Sequence, residues 1–108
     1  MHTIAIKLHA EDLPNPDLDI RYVLPDLLKE RAGGIISDDG YDYVGDDNDL
    51  VLFLKVTDLQ RAVACIIDVL AGDRVLGNDL KAGAIVGVAQ EDGYRVIYPP
   101  DYSEEFRV

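Results

Sequence analysis

This chain has little of what reactive or metal-binding sites are built from. It has one cysteine, Cys65, so no internal disulfide can form. Histidine occurs only at His2 and His9, without the spacing of a helical zinc pair. Bases are scarce: 10 Lys and Arg stand against 21 Asp and Glu, for a net charge of −11. Nucleic-acid binding works by neutralising phosphates with Lys and Arg, and anionic membranes attract basic surfaces, so neither partner class is expected. No apolar run approaches the roughly 18 residues of a membrane span, and Leu50 to Leu54 is of strand length. The start, Met1-His2-Thr3-Ile4, passes directly into apolar/polar alternation without a basic n-region or an h-region. No signal peptide is expected, and a reducing cytoplasm is the expected compartment.

What is present is a globular composition: 108 residues, 48% of them apolar, in short runs broken by charge. One domain over 1–108 is expected, with a polar tail at 99–108. Thr3 to His9 alternates as a strand, with Ile4, Ile6 and Leu8 on one side. Asn15 and Pro16 carry an N-cap and first-position signal for a helix bearing Ile20, Val23, Leu24, Leu27, Leu28 and Arg31. Pro25 either kinks that helix or marks a new start, and Gly33-Gly34 ends it. Ile35 to Val44 reads as a second strand, interrupted at Asp38-Asp39-Gly40 by a bulge or a tight turn. Leu50 to Val56 is apolar on both faces, as a central strand is. Thr57 to Gln60 matches a capping box, and the helix after it stripes Leu59, Val63, Ile66 and Leu70. Asp73 to Gly83 reads as a loop with a helical turn near Asn78. Ala84 to Ala89 and Tyr94 to Tyr98 form a hairpin around Glu91-Asp92-Gly93. The order β-α-β-β-α-β predicts an α+β, ferredoxin-like two-layer sandwich with an extra C-terminal hairpin strand.

Gly33-Gly34 follows a helix, and Gly83 and Gly87 open none, so neither phosphate-binding loop type is present. Between Asp38 and Asp49 lie six carboxylates and no base. The run misses the EF-hand register, since neither Gly40 nor Gly45 has an acid five residues before it. A solvated acidic hairpin is the commoner reading of such a run. Cys65 sits on the flank of the second helix, where Arg61 would lower its pKa somewhat, and reads as a packing residue. His9 reads as an exposed strand-end histidine, although Glu11 and Asp12 follow it. Asp68 falls opposite the apolar stripe. No catalytic residue, metal or cofactor is expected.

Tyr41 and Tyr43 stand inside the acidic run. Rings supply contact area at low entropy cost, and carboxylates pair with Lys or Arg of a partner. Covering a sheet face is the competing role for both rings. The expected partner-binding set is Asp38, Asp39, Tyr41, Asp42, Tyr43, Asp46, Asp47 and Asp49. In size, acidity, α/β layout and the segment Ile36-Ser37-Asp38-Asp39-Gly40-Tyr41-Asp42-Tyr43, the chain resembles the immunity proteins that bacteria encode beside secreted polymorphic toxins. The resemblance implies a basic toxin partner, neutralised by direct contact through the acidic run. The alternative is a homodimeric regulatory or small-ligand module, paired through an open sheet face that carries Val51, Phe53, Ile85 and Ile97.

Overall fold

Alternation of apolar and polar residues dictates most of the architecture. The computed structural model describes residues 2–8, 20–44, 49–72, 74–75, 78–79, 84–91 and 93–98. Within these lie β1 (His2–Leu8), α1 (Ile20–Ala32), β2 (Ile36–Val44), β3 (Asp49–Val56), α2 (Leu59–Gly72), β4 (Arg74–Val75), β5 (Asn78–Asp79), β6 (Ala84–Gln90) and β7 (Gly93–Tyr98). The fold is mixed α+β: a five-stranded sheet in the order β2-β3-β1-β6-β7, with every neighbouring pair antiparallel, and two helices. β3 fills the slot between β1 and β2, and β1 fills the slot between β3 and β6. Strands joined through a helix are therefore parallel to each other but never adjacent.

Residues opposite one another in a ladder share a face. Ile4 faces Leu54 and Val88, and Ile6 faces Leu52 and Val86. With Leu8, Leu50, Val56 and Ala84 they make one buried face, closed by Leu24, Leu28 and Ala32 of α1 and by Ala62, Ile66, Val69 and Leu70 of α2. At about 1.5–3 kcal/mol for each large aliphatic side chain buried, this face is the main source of stability. β3 lies inside the sheet, as its two apolar faces require, and Val51 on the far face is also buried.

Several local expectations change. α1 runs through Pro25 as one helix, with Pro25 buried, whereas the cap proposed at Asn15-Pro16 lies outside the described residues. Lys29 and Arg31 in its last turn complement the negative end of the helix dipole, and Gly33 (φ 68°) and Gly34 (φ 95°) supply the left-handed exit. The cap of α2 is Asp58, not Thr57: Arg61 N–H donates to Asp58 Oδ1 at 3.2 Å. Thr57 is still engaged with the sheet end, its N–H donating to Ile35 C=O at 3.0 Å. Where a helical turn was expected near Asn78, Arg74–Val75 and Asn78–Asp79 pair as a small antiparallel ribbon. The β6–β7 hairpin forms as expected, but a register shift between Val86 and Gly87 leaves Ile97 as an extra residue. Ile97 consequently packs against the core and not on the open face. The tail at 99–108 lies outside the described residues.

A candidate binding edge on strand β2

Among the described residues β2 is an edge strand, paired on one side, with β3. Its ladder is regular from Ile36 to Asp38, opposite Val56 to Leu54, and again from Tyr41 to Val44, opposite Leu52 to Asp49. Between them Asp39 and Gly40 share the place opposite Phe53, which is a β-bulge. Gly40 carries the positive φ this needs, 98°, and its N–H donates to Asp38 Oδ1 at 2.9 Å. The interruption foreseen at Asp38-Asp39-Gly40 is therefore a bulge and not a turn.

The register places Asp38, opposite Leu54, on the same side of the sheet as the two tyrosines, and Asp39 and Asp42 on the other. Tyr41 and Tyr43 stand opposite Leu52 and Leu50 and so project on the helix side of the sheet. They are not covered there: Tyr41 is 43% and Tyr43 37% exposed. Tyr41 meets Tyr22 of α1 edge to face, ring centroids 6.2 Å apart, and meets Tyr43 in the same manner at 6.0 Å. Tyr22, 51% exposed, is a member of this cluster that sequence reasoning missed. Asp42 lies opposite Val51 and projects on the open side; its Oδ1 accepts the Tyr43 N–H at 2.8 Å. Asp39 also turns to that side, where its Oδ1 stands 3.9 Å from Lys55 Nζ in an exposed ion pair.

The predicted set is thus only partly one surface. Asp38, Asp39, Tyr41, Asp42 and Tyr43 are exposed along one edge. Asp49 is buried at 8% exposure, with Oδ2 3.9 Å from Lys7 Nζ, so it serves the sheet and not a partner surface. Asp46 and Asp47 lie outside the described residues, as does His9.

Cys65 packs against the core. Burial pushes its thiol above the ordinary range; Arg31 pulls it down less, and Asp68 adds to the rise. The neighbouring cation is thus Arg31, across the helix pair, and not the Arg61 expected one turn away. Asp68 is exposed, away from the core stripe. Among the described residues no three metal-ligating side chains converge, and no helix is long and apolar enough to cross a membrane. Comparison with known proteins yields no relative to lean on: no family model, no curated protein and no solved structure matches this chain.

Proposed function

We propose that the chain is a small acidic binding protein that neutralises a basic partner by direct contact, in the manner of a bacterial immunity protein acting on its cognate toxin in the cytoplasm. It works without catalysis, metal or cofactor. The observation that carries this reading is the β2 edge, where Asp38, Asp39 and Asp42 flank exposed tyrosines on a chain of net charge −11. A field of that sign draws a cationic surface and raises the encounter rate. Tyrosines at the centre of such a patch supply the desolvated contact area that holds a complex once formed. The ferredoxin-like assignment belongs to the same proposal. The interleaved order β2-β3-β1-β6 suits it, and β7 and the β4–β5 ribbon are additions to that plan.

A homodimer through the open sheet face draws less support. Of the residues expected to carry that face, Val51 has no accessible surface and Ile97 packs on the other side, which leaves the half-buried Phe53 and Ile85 as the apolar contacts for a second copy.

The test begins with the gene beside this one. Its product is expressed in a host cell with and without the chain, and growth is scored. The purified pair is then followed by stopped flow at several salt concentrations. Rescue of growth is expected, with a kon that falls as salt rises. The combined variant Asp38→Asn, Asp39→Asn, Asp42→Asn is expected to lower kon about tenfold at low salt. No rescue, or a kon indifferent to both salt and the three carboxylates, refutes the proposal.

A further inference from the structure

We infer that the ladder Tyr22–Tyr41–Tyr43 is a seat for arginine side chains of an extended, basic segment of the partner, an inference that rests on the acidic-binding reading above. The three rings form one exposed chain of edge-to-face contacts, at 6.2 and 6.0 Å. The faces of phenol rings are negative, and a guanidinium attracted to them stays flat against the ring. Acids frame the ladder: Asp26, exposed, lies one turn beyond Tyr22 on α1, and Asp38 lies beyond the bulge from Tyr41. β2 itself contains no base. A cation on these rings therefore finds carboxylates for its remaining N–H groups.

Spacing points to the shape of the occupant. Tyr41 and Tyr43 are alternate residues of a strand, roughly 7 Å apart along it. An extended segment presents its own alternate side chains at the same interval, so arginines at i and i+2 match the two rings. Arginine fits better than lysine because its planar, weakly hydrated head stacks and still offers donors at its rim. Recognition through side chains also agrees with the state of the edge. The Gly40 and Tyr43 N–H groups already donate to Asp38 and Asp42. Main-chain pairing by an added strand would have to displace those carboxylates.

The probes are two short peptides, one alternating arginine with threonine and one alternating lysine with threonine. Each is titrated into the whole chain at low salt by NMR. The arginine peptide is expected to bind about two- to fivefold tighter and to shift the ring signals of Tyr22, Tyr41 and Tyr43. The double variant Tyr41→Leu, Tyr43→Leu is expected to weaken the arginine peptide about tenfold, while Tyr41→Phe with Tyr43→Phe stays within about twofold. Circular dichroism checks that each variant folds; should the double leucine variant unfold, Tyr22→Leu on the helix surface replaces it. Equal binding of both peptides, unmoved by loss of the rings but weakened by Asp38→Asn, Asp39→Asn, Asp42→Asn, overturns the ladder and leaves the acidic-binding reading standing. No binding of either peptide overturns both.

Discussion

Replacing Asp58 by Ala removes the side-chain cap of α2. Asp58 Oδ1 accepts the Arg61 N–H at 3.2 Å, and Asp58 C=O accepts the Ala62 N–H at 3.0 Å. Ala keeps the second bond and loses the first. An N-cap is worth about 1 kcal/mol, within a range of roughly 0.5–2. This contact is at the long end for N–H···O, and water reaches the half-exposed Asp58, so about 0.5–1 kcal/mol is expected. The loss cannot be absorbed by fraying, because Ala62, Ile66, Val69 and Leu70 anchor the helix in the core. It should therefore appear in global unfolding as a Tm lower by roughly 2–8 °C, with an unchanged urea m-value. Asp58→Asn should stay within a few tenths of a kcal/mol, since Asn caps about as well. Thr57→Ala keeps the backbone bond to Ile35 and should cost less than about 0.5 kcal/mol. Paired thermal and urea melts of the three variants decide the matter. If Thr57→Ala costs more than Asp58→Ala, the capping residue is Thr57 and this reasoning fails.

Three further outcomes are expected. Leu52→Ala opens a cavity at a fully buried site flanked by Ile6 and Tyr41, and should cost about 2–5 kcal/mol in urea titration; a loss below half of that would mean that the sheet collapses onto the gap. Gly40→Ala should cost about 1–2 kcal/mol through its backbone alone, because an added Cβ meets nothing within 4 Å while φ remains 98°; a neutral melt would show that the bulge relaxes. For Cys65, burial holds the proton more tightly in the folded chain than in the unfolded one. Its contribution to stability is complete below the ordinary thiol pKa and is lost as pH rises through the folded value. Reaction with a disulfide reagent should accordingly be slower than that of glutathione at each pH from 7 to about 9, and a rate that levels off near neutrality would contradict the assignment.

Much of this arrangement is legible in the residues themselves. Ile4, Ile6 and Leu8, and Leu50 through Val56, declare their strands and faces by period alone, and the Ile66–Leu70 stripe declares α2. What escaped depends on which elements become neighbours. Tyr22 looks like any residue on the flank of α1 until the sheet order puts β2 beside that helix. Asp49 reads as one more acid of a polar turn, yet the β1–β3 pairing brings the half-buried Lys7 to it, and Asp49 itself is buried. The cap shifted by one residue because Thr57 and Asp58 are both good capping side chains, and only the direction of Thr57's backbone, into the sheet, chooses between them. The β4–β5 ribbon is too short for a period to register.

The β2 bulge has a consequence for crowding. A straight strand at a sheet edge is a template on which another copy can pair, and a bulge spoils that template. Removing Asp39 alone would leave one residue opposite Phe53, so Tyr41 and Tyr43 would keep their faces while the strand straightened. The tyrosine surface would survive almost unaltered, but the strand would gain a continuous, bondable margin. The extra residue thus separates two properties of this segment: the face on which its tyrosines stand, and the straight margin it withholds from another copy.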